Sequence, residues 1–158
     1  MTIMWSVCSF TYYLMTYQLK YLEGSIYFNC YFGICSDLLA TVTGQIIYKK
    51  FGAKLTFMMA YSCSIFAAMN LFLFPNDHVE FYVFLTKYGI CVAFLATYQV
   101  SYNTDMFQNK PTSIGICNFV ARATTIMAPE VNEMAHPLIY LIICLSVAFF
   151  NSFIIWTY

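Results

Sequence analysis

The sequence predicts an all-α membrane protein: one domain over residues 1–158, with six transmembrane helices arranged as a three-plus-three repeat. Three observations lead there. The chain is 61% hydrophobic and only 9% charged, whereas a water-exposed domain needs about 25% charged residues to make a polar surface. Stretches with one charge or none recur at the length of a bilayer span, which is roughly 20 residues for a hydrocarbon core about 30 Å thick. Runs such as LIYLIICLSVAFF (138–150) are continuously apolar; a membrane β-barrel would instead alternate apolar and polar positions.

The expected spans follow in order. Residues 1–19 carry no charge and lack the basic leading segment of a secretory signal, so 2–19 reads as the first span. The second, 26–48, contains only Asp37. The KKFGAK patch at 49–54 reads as a connection, and the uncharged stretch behind it supplies the third span, 55–75. The fourth, 80–102, has one intramembrane charge, Lys87; the fifth, 111–129, has Arg122. The sixth, 137–157, follows His136 and has no acid or base. Connections between such spans average about five residues, so neighbouring helices run antiparallel.

Charge sets the expected orientation. Lys20, Glu23, Asp77, Glu80, Glu130 and Glu133 mark one set of connections; Lys49, Lys50, Lys54, Asp105 and Lys110 mark the other. The positive-inside rule places the lysine-rich set, and with an even number of spans both termini, in the cytoplasm. Trp5 and Trp156 fit interfacial belts.

A charge at the bilayer centre costs about 2.5–3.5 kcal/mol on insertion scales, so Asp37, Lys87 and Arg122 require a reason. Pairing that merely holds helices together is one reason, and a water-accessible solute cavity is the other. Helical spacing favours an interior face. Gly33, Asp37, Thr41 and Gly44 form one stripe; Lys87, Cys91, Phe94 and Tyr98 another; Asn118, Arg122 and Thr125 a third; Ser6, Ser9, Tyr13 and Thr16 a fourth. The third and sixth spans contain no acid or base, and their polar residues are mostly small (Ser62, Ser64, Ser146, Ser152), so they read as peripheral, lipid-facing helices. Two cavity helices followed by a plain one, twice over, is the pattern of an inverted repeat in a transporter half. If Asp37 offsets one cation, about one net positive charge remains, which suits an anionic or zwitterionic solute.

Other classes find little support. Zero formal net charge argues against nucleic acid, whose phosphates need a larger basic footprint. The seven cysteines are scattered through apolar runs without CxxC spacing, so no metal or disulfide framework is expected and they read as small hydrophobes. No GxSxG, HExxH or Gly-rich phosphate loop occurs, and no enzyme activity or cofactor is expected. His78 and His136 fall in connections, where His136 reads as a solvated cap or interface residue.

Several segments also resemble the C-terminal half of a major facilitator superfamily transporter, and within it the organic cation, anion and zwitterion transporter family. SFTYYLMTYQLKYLEGSIYFN is similar to that family's seventh helix, GICSDLLA to its eighth, LTKYGICVAF to the start of its tenth and NFVARATTIMAP to its eleventh. Lys50-Phe51-Gly52-Ala53-Lys54 resembles its basic-x-Gly-basic-basic loop. The resemblance implies a solute cavity lined by Tyr12, Tyr13, Lys87 and Arg122, with Asp37 balancing charge or helping gating, and an arginine at position 122 leans toward anions. It implies cytoplasmic gating contacts at Lys50, Gly52, Lys54, Asp105 and Lys110. The family's Glu-x-Tyr-Pro-Thr-x-x-Arg is replaced here by Asp105 to Lys110 without the proline, so either Asp105 keeps the acid's role or Lys110 the base's. The expected activity is alternating-access transport of a small organic anion or zwitterion across a bilayer. The expected partner is a second six-helix half, in the same longer chain or another. The alternative is a truncated half that does not transport and acts as a membrane interaction partner.

Overall fold

The computed structural model describes residues 2–22, 25–74, 78–103, 110–134 and 136–155. These form α1 (Thr2–Gln18), α2 (Ile26–Leu73), α3 (Val79–Asn103), α4 (Lys110–Thr125), α5 (Ala128–Asn132) and α6 (Pro137–Ile155). The chain is all-α, as the apolar runs predict.

Six separate transmembrane helices, and with them the half-transporter repeat, are not what the structure contains. The expected second and third spans belong to one 48-residue element, α2. The KKFGAK patch is no loop: Lys49, Lys50, Phe51, Ala53 and Lys54 lie within the helical run, and the only break is Gly52, at φ 77° and ψ 173°. That backbone region is essentially closed to residues with a Cβ, so a single glycine does what a connection was expected to do. The expected fifth span is also divided. Thr124 and Thr125 turn their hydroxyls onto the carbonyls of Ala121 and Arg122, α4 ends, and Pro129 opens the short α5; proline has no N–H with which to continue the preceding helix. Among the described residues only α2 and α3 are long and apolar enough to cross a membrane, with mean hydropathies of 1.5 and 1.6.

The break at Gly52 reverses α2. Gly33 and Ser64 would lie roughly 45 Å apart along a straight helix. Yet Gly33 packs against Lys87, and the Ser64 hydroxyl reaches the carbonyl of the preceding residue, Thr86, at 3.4 Å. The two arms of α2 therefore clasp the same turn of α3. Small residues allow the approach: a Cβ on Gly44 would sit 3.4 Å from Leu95, and one on Gly89 would sit 2.6 Å from the Ala60 carbonyl oxygen and collide with Ser64 Oγ. Around this clasp α1 packs against α3, α4, α5 and α6, and α6 also touches α2. Cys8 Sγ, 3.0 Å from the Tyr61 hydroxyl and 3.8 Å from that of Thr97, knits α1, α2 and α3 at the centre.

Two further expectations are corrected. The 55–73 arm is not peripheral, because Ala60, Tyr61, Ser64, Ala67, Ala68 and Leu71 are buried against the rest of the fold. The sixth span is plain only on its outer side: Leu141, Leu145, Ala148 and Ser152 form a buried face on α6. Trp5 is no belt residue either, being buried and edge-on to Phe94 at 6.1 Å and Tyr98 at 6.2 Å. Trp156 lies outside the described residues.

The first arm of α2 is patterned inside out. Asn29, Gly33, Ser36, Ala40 and Gly44 are buried, while Tyr27, Tyr31, Ile34, Leu38, Val42 and Ile46 are exposed. A helix in water would turn its apolar stripe inward, whereas one in lipid packs through small residues and leaves its large apolar side chains outside. With the two long apolar helices, this marks a membrane-associated helical protein.

Replacing Gly89 by Ala is expected to lower stability by about 1–3 kcal/mol, the usual cost of overpacking. Gly115→Ala, where a Cβ meets nothing within 4 Å, is expected to be neutral or stabilising by up to ~1 kcal/mol from helix propensity. Thermal unfolding in detergent, followed by circular dichroism, reads both.

Candidate functional site

α1, the first arm of α2, α3 and α4 enclose a cavity of about 310 Å³. Tyr12 and Tyr13 of α1 stand at its centre. Consecutive helical residues point about 100° apart, so the two rings separate: Tyr12 turns toward α2 and α3, and Tyr13 toward α4. Their centroids lie 5.8 Å apart with the ring planes at 90°, an edge-to-face arrangement in which each ring braces the other.

Tyr12 marks the acidic end. Its hydroxyl donates to Asp37 Oδ2 at 2.9 Å, and Lys87 Nζ lies 3.4 Å from the same oxygen. Lys87 Nζ also sits 5.0 Å from the centroid of the Tyr12 ring, so the ammonium is held by a carboxylate and an aromatic face together. Gly33 makes this possible, because a Cβ there would lie 3.2 Å from Lys87 Cδ and 3.3 Å from Nζ. The second carboxylate oxygen, Asp37 Oδ1, is buried with no hydrogen-bond partner. With one oxygen unpaired and its side chain only 25% exposed, the carboxylate depends the more on the neighbouring Lys87.

Tyr13 marks the basic end. Arg122 Nη1 donates to the Tyr13 hydroxyl at 3.1 Å. Arg122 is exposed, and Asn118, one turn earlier on α4, joins it on the cavity wall. Cys91, Phe94 and Leu95 of α3 supply an apolar wall, and Ser9 of α1 a small polar one. The result is an apolar slot with a compensated ion pair behind one side and an accessible guanidinium at the other. It can hold a small organic molecule bearing an acidic group, with no bond made or broken.

The structure thus brings together Arg122, Tyr12, Tyr13 and Asp37, four of the five residues expected to meet solute. Lys87, the fifth, is not among the lining residues; it is buried behind Asp37. The helical stripes are partly realised: Ser9, Cys91, Phe94 and Asn118 reach the cavity, Ser6 lines a different depression beside Phe10 and Thr124, and Thr41 is exposed. Leu95 was not anticipated, since an aliphatic residue in an apolar span gives no signal of a cavity. Of the residues expected in gating loops, three fall at the break in α2. Lys50 and Lys54 flank Gly52, exposed, with their ammonium groups 5.5 Å from the Phe51 ring and 5.8 Å from the Phe153 ring. Asp105 and the Lys110 side chain lie outside the described residues. All seven cysteines are free thiols.

No protein-family model matches the chain, and neither does any curated protein sequence.

Lys87→Met is expected to be destabilising, by less than the roughly 3–5 kcal/mol of a fully buried broken pair, because it removes the cation beside Asp37 while that carboxylate keeps 25% exposure and the Tyr12 hydrogen bond. Adding Asp37→Asn to that variant is expected to recover much of the loss. A double-mutant cycle on thermal or denaturant unfolding should give a coupling of about 0.5–3 kcal/mol; additive effects would show that the pair contributes nothing.

Proposed function

We propose that the chain takes a small organic anion or zwitterion into the cavity between α1, α2, α3 and α4, and moves it across a lipid bilayer by alternating access as part of a secondary transporter. The observation that carries this reading is the placement of Arg122: an exposed guanidinium on an apolar cavity wall, braced by Tyr13, while the buried cation, Lys87, is already matched by Asp37. A charge kept in such a setting favours an oppositely charged partner that enters and leaves. The tyrosine pair offers the organic part of that partner two aromatic faces. The resemblance to the organic ion transporter family supports the same reading.

The chain then crosses the membrane more than once, with the lysine-bearing turn at Gly52 and both chain ends on the cytoplasmic side, as the charge asymmetry of the connections favours. A second helical unit, from the same longer chain or another, covers the exposed side of α4, where Arg122 and Asn118 would otherwise meet lipid. No chemical conversion of the solute and no cofactor enters this reading.

Arg122→Gln tests it. Hydrogen bonds to a charged group contribute about 1.5–3 kcal/mol, so binding and uptake of small aromatic carboxylates by reconstituted vesicles are expected to fall roughly 10- to 100-fold. The thermal midpoint should stay near that of the parent, since Arg122 is exposed. Undiminished uptake in the variant would refute the role of Arg122. Carboxylate binding without uptake in the parent would point to a non-transporting membrane interaction partner instead.

A further inference from the structure

A second cavity, of about 250 Å³, lies at the C-terminal end of α1, where the start of α6 and the end of α2 meet it. Its walls are mostly apolar, with Leu22, Phe72 and Leu138 prominent, and His136 stands beside it at the start of α6. One residue is out of character. Gln18, the last residue of α1, lines this cavity, is 2% exposed, and has neither Nε2 nor Oε1 hydrogen-bonded.

A buried primary carboxamide with both ends unpaired is unfavourable, and native structures rarely keep one without a use. Turning this amide toward the cavity breaks no hydrogen bond, because it makes none where it lies. The group that satisfies it must offer an acceptor to Nε2 and a donor to Oε1 side by side. A carboxylate would leave Oε1 facing another acceptor, and a hydrocarbon would leave both ends unpaired. A second carboxamide meets both requirements through two parallel N–H···O bonds.

We propose that this cavity is a binding site, separate from the one at Arg122, for a small molecule with a carboxamide on an apolar or aromatic body. Gln18 pairs with the amide head, and Phe72, Leu22 and Leu138 enclose the body. The inference does not rest on the transport reading, since the two cavities share no lining residue.

The test uses the full chain in detergent, with benzamide as the probe and benzoate and toluene as comparators, read by saturation-transfer NMR and by the shift in thermal midpoint. Benzamide is expected to bind and stabilise more than either comparator. Loss of two neutral hydrogen bonds in Gln18→Leu is expected to weaken it at least about tenfold, whereas Arg122→Gln retains the response. Should Gln18→Leu fail to fold, Leu138→Trp, which fills the cavity from the α6 side, carries the same expected loss. An equal response to toluene would reduce the site to an apolar hole, and no response to benzamide, or one unchanged in both variants at this cavity, would overturn the proposal.

Discussion

Lys87 reaches Asp37 only because two helices approach more closely than side chains normally permit, and most of the fold follows from that approach. Gly33 leaves room for the lysine stem, and Gly44 and Gly89 let the two arms of α2 close on α3. Between lipid-exposed helices there is little hydrophobic force to gain by association, so van der Waals contact and interhelical polar bonds have to hold the bundle. Small residues provide the first by bringing backbones together. The Lys87–Asp37 pair, the Thr43–Tyr88 hydroxyl contact at 2.7 Å and the Cys8–Tyr61 contact provide the second.

The same packing divides the charges by role. Lys87 and Asp37 are neutralised against each other inside the wall, and Tyr12 belongs to both, donating to the carboxylate while its ring faces the ammonium. Among the described residues Arg122 has no carboxylate partner. The helix that carries it touches α1 but makes no comparable clasp with the α2–α3 unit, so its guanidinium leans on a tyrosine hydroxyl and not on a carboxylate. A surplus positive charge at a cavity edge is the electrostatic outcome of that asymmetry. The two adjacent tyrosines divide between these charges: Tyr12 hydrogen-bonds Asp37 of the ion pair, and Tyr13 the accessible arginine.

Gly52 shows how far local chemistry can mislead about connectivity. Three lysines around a glycine look like a solvated loop, because loops are where charge usually collects. In the structure the lysines stay on helical backbone, and the reversal is confined to one residue able to adopt φ 77°. The uncharged 55–73 segment misleads in the opposite sense. Its alanines and serines give no sign of importance in composition, yet their small size is what admits α3.

By itself the sequence determined that the chain is helical and built for an apolar surrounding, because composition and hydropathy are local sums that need no partner. It also determined which residues could matter: Asp37, Lys87 and Arg122 stand out against uncharged runs, and helical periodicity put Ser9, Tyr13, Cys91, Phe94 and Asn118 on candidate inner faces. Only the tertiary structure decided that 26–73 is a single element folded at Gly52, since a backbone angle leaves no trace in charge or hydropathy. It alone decided that Lys87 is matched to Asp37 while Arg122 stays accessible, and that Gln18 is buried unpaired beside a second cavity. Pairing and burial are relations between residues distant along the chain, and helix packing at particular glycines is what brings those residues within reach of one another.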